Sequence, residues 1–256
     1  MKGFPGVVNS FYYLAFVAVL AWASHIEQEQ GRIDGPAPAS VLSVVPKIVP
    51  IILVAADMQD SPDLDEAEEN AQSVMAYAQQ WYLDQVGSTF QVGRTLRVKS
   101  ELTSNEWIAL AELSKVDEHR FDYHTTARRE VLERLGRSDT HHYIASIFAG
   151  LRPDIWWGAA DSGDVSVVAP RGTGVLCPGF SKEEPLSDPV CSDAVYAVVH
   201  ELGHAFGLEK YSCDGDGAQD PICHKSAMQA QRPPGMIFLE HEKQVIRANK
   251  YFSQPN

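Results

Sequence analysis

The run Lys47-Ile-Val-Pro-Ile-Ile-Leu-Val-Ala-Ala56 carries no charge after its first residue. A strand with one wet face alternates apolar and polar residues, whereas an unbroken apolar run suits a strand covered on both faces. Such a strand belongs in a sheet with further layers above and below it, which points to a mixed α/β domain. Pro50 interrupts the run and has no N–H to donate, so part of this strand is expected at an edge or bulge.

The segments that follow alternate in period. From Ser61 to Val86, apolar residues Ala67, Ala71, Val74, Met75, Ala78, Trp81 and Tyr82 recur three or four apart, which predicts a long helix. Gln91 to Val98 reads as a strand, Asn105 to Leu113 and Thr125 to Leu135 as helices, and His142 to Phe148 and Val165 to Ala169 as short strands. Ile237 to Asn249 reads as a closing helix.

The chemistry-bearing motif is His200-Glu201-Leu202-Gly203-His204-Ala205-Phe206-Gly207, which follows the apolar stretch 193–199. That stretch holds no Gly or Pro, so a helix is expected to run through it. Residues four apart share one helical face, so His200 and His204 can offer imidazole nitrogens to one zinc ion. Glu201 sits beside the metal position, where a general base for an activated water belongs. Gly207 can take positive φ and end the helix.

The spacing His-Glu-x-x-His-x-x-Gly resembles the metzincin clan of zinc metallopeptidases, including the small secreted snapalysin-like and reprolysin-like enzymes. The resemblance is specific over residues 195–228 and loose elsewhere. It implies an α/β (α+β) fold: a mixed β-sheet with long helices, then an irregular C-terminal subdomain with a Met-turn and a closing helix. Residue by residue, His200 and His204 match the first two zinc ligands, Glu201 the base and Gly207 the turn glycine. Ser226-Ala227-Met228 looks like the Met-turn, with Met228 a structural support and not a ligand. The activity implied is a zinc-dependent endopeptidase acting on peptide or protein substrates. In the clan a third ligand, His or Asp, follows the glycine by three residues. Here that position holds Lys210, whose ammonium repels a dication. Asp214 and His224 are the two candidates for the third ligand; Asp216 reads better as part of a polar turn. No tyrosine lies between Met228 and Gly235 to serve as the oxyanion donor that some metzincins place there.

Two other classes stay open. Lys210 supports a catalytically degenerate metzincin-like protein that binds peptides or a partner. A gluzincin-type hydrolase would instead take a distant carboxylate, such as Glu240 or Glu242, as its third ligand.

Residues 1–23 read as a signal peptide, with Lys2 before the apolar stretch 11–22 and Ala21-Trp22-Ala23 as the cleavage site. Residues 24–44 are expected to form a flexible lead-in or short propeptide, and 45–256 the catalytic domain. The protein is thus expected to be secreted or periplasmic, monomeric, and without stable membrane insertion after cleavage. Four cysteines behind a signal peptide argue for two disulfides, and short closures favour Cys177–Cys191 and Cys213–Cys223.

A net charge of −13 without a cluster of Lys and Arg argues against nucleic acid as a partner. Seven acids crowd residues 57–69. A calcium site is possible chemistry there, but the loop pattern is absent, and helix starts favour acids. His141 and His142 should point to opposite faces of a strand and are expected at the surface. In Trp156-Trp157-Gly158-Ala159-Ala160, the small residues 158–160 resemble a cleft-rim strand that could pair with an extended peptide. Two tryptophans packing a loop onto the core explain the same segment equally well.

Overall fold

The structure, a computed structural model, describes residues 46–116, 122–150, 157–160, 164–169, 189–208, 213, 221–229 and 235–252. The expected signal peptide and lead-in lie outside the described residues, as do Trp156, Cys177, Lys210, Asp214 and Asp216.

The chain folds as a mixed α/β protein. In chain order the elements are β1 (Lys47–Val54), α1 (Leu64–Val86), β2 (Gln91–Val92), β3 (Leu96–Lys99), α2 (Ser104–Val116) and α3 (Asp122–Leu135). They continue with β4 (His141–Phe148), β5 (Trp157–Ala160), β6 (Val165–Ala169), α4 (Pro189–Ala205), a 3₁₀ helix (Pro221–Lys225) and α5 (Glu240–Ala248). The strands form one sheet in the order β2-β1-β4-β6-β5, with β3 also paired to β1. All pairs are parallel except β5 with β6.

Strand β1 is buried on both faces, and its side chains divide between two cores. Ile48, Ile52 and Val54 meet α1, α4 and the C-terminal segment. Val49, Ile51 and Leu53 meet Trp107 and Ala111 of α2 and Tyr123, Ala127 and Val131 of α3. The sheet is therefore sandwiched between helical layers, as its unbroken apolar strand required.

Pro50 corrects one expectation and explains another. β1 lies inside the sheet, not at an edge. On its outer side Lys47 and Ile48 pair with β2, and pairing resumes only at Ile51 with β3. The Ile48 carbonyl accepts from Gly93 on that side, so the nitrogen of Pro50, two residues on, faces the same way. The single strand expected over Gln91–Val98 is broken at residues 93–95, opposite the position where β1 has no donor. A bulge in β1 is thus replaced by a break in its neighbour.

The closing helix starts at Glu240, three residues later than expected. Ile237 is held extended, because its N–H donates to the Lys225 carbonyl and its carbonyl accepts from Ala227 N–H. Three of the seven acids of residues 57–69 also find partners. Asp57 Oδ1 accepts from the Ser104 N–H and Oγ–H at the start of α2, and Asp65 and Glu68 pair with Arg97.

Candidate metal centre

Helix α4 is apolar on nearly every side, with Ala194 to Val199, Leu202 and Phe206 all buried. It packs against α1 and the β4, β6 and β5 side of the sheet. Tyr82 of α1 anchors it. That ring lies 5.1 to 5.8 Å from the rings of Phe90, Phe206, Phe238 and Phe252. Its hydroxyl donates to the Val199 carbonyl at 2.9 Å, immediately before His200. Burial, and then the Glu242 carboxylate, push the Tyr82 phenol well above the ordinary tyrosine range, so it remains a donor.

The helix ends in a Schellman motif. Gly207 takes φ 94°, the Leu208 N–H donates to the Gly203 carbonyl, and the Gly207 N–H donates to the His204 carbonyl. This reversal carries the Leu208 carbonyl back to His204, whose Nδ1–H donates to it at 2.7 Å. The turn 226–228 supplies the matching acceptor for the other ring: His200 Nδ1–H donates to the Ala227 carbonyl at 2.9 Å. A carbonyl oxygen can only accept, so each Nδ1 carries its proton and each neutral ring has its lone pair at Nε2.

Those two Nε2 atoms face one another at 3.1 Å. Two lone pairs so close repel unless a cation lies between or beside them, and a metal ion meets that need. Nitrogens at two corners of a zinc tetrahedron, each about 2.0–2.1 Å from the ion, stand roughly 3.3 Å apart. The spacing and tautomers of the pair are compatible with two of the ligands that a zinc ion takes. Both rings and Glu201 are buried, at 8%, 8% and 4% exposure.

The support beneath is a close approach that the sequence reading did not assign. A Cβ at Gly203 would fall well inside van der Waals contact of Met228 Sδ and 3.1 Å from its Cε. Glycine in mid-helix is unfavourable by about 1 kcal/mol relative to alanine, which was the available signal. Tyr196, one turn before His200, donates its hydroxyl to the Gln229 carbonyl just past Met228. Its ring also lies 5.6 Å from that of His200.

The structure does not bring every candidate ligand to the pair. His224 is exposed on the 3₁₀ helix. Among the described residues no third His, Cys, Asp or Glu completes a metal-binding group. Glu240 instead pairs with Arg247 and Lys243. Glu242 accepts from Ser226 Oγ–H at 2.7 Å and from Leu239 N–H at 2.7 Å. The two carboxylates given as examples for a gluzincin-type scheme thus have partners of their own.

Cys213, buried in the core, is bonded to Cys223. Cys191 is also disulfide-bonded, and its expected partner Cys177 lies outside the described residues. His142 corrects the surface expectation: it is 2% exposed, and its Nε2 lies 2.8 Å from Ser166 Oγ. Ser166 Oγ–H in turn donates to the Glu201 carbonyl at 3.4 Å. Alternation along β4 does separate the two histidines, but both faces of this sheet are covered.

No protein-family model matches the sequence, and no curated protein does. The fold is similar to two solved structures of OgpA from Akkermansia muciniphila. Wild-type OgpA is 15% identical with a TM-score of 0.42, over 82% of this chain and 62% of that one. The second is catalytically inactive OgpA in complex with an O-glycopeptide (glycodrosocin) substrate, at 14% identity, TM-score 0.43 and the same coverage of 82% and 62%. The chain therefore spans less than two thirds of the length of either, and the likeness is loose.

Proposed function

We propose that this chain is a zinc-dependent endopeptidase, with His200 and His204 holding the ion and Glu201 acting as general base. The observation that carries the reading is the facing pair of Nε2 atoms, 3.1 Å apart, each oriented by an Nδ1–H donated to a backbone carbonyl. Zinc, when bound, supplies Lewis acidity that acidifies water and polarises a carbonyl. Glu201, next in the chain and buried, accepts the proton of the attacking water at its carboxylate and returns it to the leaving amine.

Asp214 is the third donor in this proposal. It follows Cys213, which the disulfide to Cys223 ties close to the Met-turn, whereas His224 is exposed. Among the described residues strand β5 lies at one end of the sheet order and packs against α4, which suits an extended peptide added along residues 158–160. A disulfide fits the oxidising compartment of a secreted or periplasmic protein. No helix among the described residues is long and apolar enough to cross a membrane.

The test is zinc content together with peptide cleavage. Wild-type protein should hold one zinc, lost in His200→Ala, His204→Ala and Asp214→Ala but kept in His224→Ala. Glu201→Ala should keep the metal and lose cleavage. Wild-type protein that takes up no zinc at micromolar concentration would end this reading. Zinc uptake without cleavage of any peptide would leave the degenerate binding protein that Lys210 suggests.

A further inference from the structure

Ser226 and Glu242 are both fully buried, and neither is a metal ligand in the reading above. Ser226 Oγ–H donates to Glu242 Oε1 at 2.7 Å, and Ser226 Oγ accepts from the Met228 N–H at 3.0 Å. Glu242 Oε2 accepts from the Leu239 N–H at 2.7 Å, at the start of α5. One carboxylate thus joins two segments: the turn 226–228 and the chain entering α5. Backbone bonds of Ile237 to Lys225 and Ala227 complete the clamp on the same turn.

The clamped turn makes two contacts with α4. Its Ala227 carbonyl accepts from His200 Nδ1–H, and its Met228 thioether lies against Gly203. A buried carboxylate is costly to keep unless its lone pairs are used, and a core of this kind could hold an apolar residue there at less cost. The position is intelligible if the rigidity of the turn matters to the imidazole that it orients.

We propose that Glu242, acting through Ser226, is a positioning residue for His200: it fixes the Ala227 carbonyl that sets the tautomer and direction of the metal-binding ring. This rests on the zinc reading for its consequence, but not for its geometry. Glutamine is not equivalent: with its one acceptor oxygen on the Leu239 N–H, its NH₂ would donate to Ser226 Oγ, reversing that bond and leaving the buried Ser226 hydroxyl hydrogen without the carboxylate that accepts it.

The experiment compares wild type, Glu242→Gln, Ser226→Ala and Ile246→Val, the last a core change on the same helix. Zinc affinity is measured by competition with a chelator, and the His200 Nδ1–H resonance is followed by NMR in metal-free protein. Glu242→Gln and Ser226→Ala should each weaken zinc binding roughly 10- to 100-fold. Both should shift the Nδ1–H resonance or broaden it by exchange, while Ile246→Val changes neither. If Glu242→Gln fails to fold, Ser226→Ala, which is smaller by one oxygen, decides the matter. Affinity within threefold of wild type and an unmoved resonance in the folded variants would overturn the proposal. Should wild type bind no zinc, the zinc reading fails alone, and the resonance still decides whether Glu242 orients His200.

Discussion

Gly203 and Met228 share one volume: the thioether of Met228 lies where a side chain on Gly203 would begin. Helix α4 and the turn beneath it are thereby locked in register by the absence of a single carbon. Met228 is 1% exposed, so its thioether cannot swing aside without moving its own neighbours.

Gly203→Ala should therefore destabilise the protein despite the better helix propensity of alanine. Overpacking costs about 1–3 kcal/mol, against a propensity gain of about 1 kcal/mol. In a Met228→Ala background the same change should become neutral or stabilising. Chemical denaturation of the four proteins measures the coupling, and additive effects across the cycle would contradict the shared volume.

Removing the Tyr82 hydroxyl tests the anchor of α4. Tyr82→Phe keeps the aromatic packing but leaves the Val199 carbonyl without its donor from α1. A loss of about 1 kcal/mol is expected from urea unfolding, with an unchanged m-value. No loss would mean that the phenol merely fills space.

Acid should loosen the start of α2. The backbone N–H of Ser104, and then its hydroxyl, hold the Asp57 carboxyl below the ordinary aspartate range. The N–H and hydroxyl of Thr103 do the same for Glu106. A folded-state pKa below the unfolded one gives stabilisation that is complete above the ordinary carboxylate range and lost as pH falls through the depressed value. Amide exchange at Thr103 and Ser104 should thus accelerate below about pH 4 relative to α1, after correction for intrinsic rates. Asp57→Asn with Glu106→Gln should flatten that dependence. A wild-type profile already flat down to pH 2 would contradict both hydrogen-bonding assignments.

The Cys213–Cys223 bridge closes a loop across a sequence separation of 10. Replacing both cysteines by serine should cost about 2–3 kcal/mol through the freedom returned to the unfolded chain. The measurement is the denaturation midpoint of the double variant against wild type under oxidising conditions. Equal midpoints would show that the bridge does not constrain the unfolded state. Asp214 adjoins this bridge, so the variant should also lose zinc affinity if Asp214 is a ligand.

Much of the fold was legible because its signals are local. The apolar run of β1, the three- and four-residue spacing of α1 and the strand Val165–Ala169 each appear where periodicity placed them. Boundaries slipped where a distant partner decided them. The break between β2 and β3 answers Pro50, more than 40 residues earlier by sequence numbering. The late start of α5 answers the pairing of Ile237 with the turn. His142 was misread because its surroundings depend on what covers the second face of the sheet, which alternation within β4 cannot report.

The sequence alone determined which side chains could act: two imidazoles one turn apart, a carboxylate beside the first, and a glycine free to end their helix. Helical spacing is a property of neighbours along the chain, so the motif needed no tertiary information. Only the folded structure decided which nitrogen each ring presents. That choice belongs to the Ala227 and Leu208 carbonyls, to the methionine under Gly203 and to the carboxylate of Glu242. A carbonyl has no residue type, and its direction is set by the packing of segments far apart in the chain.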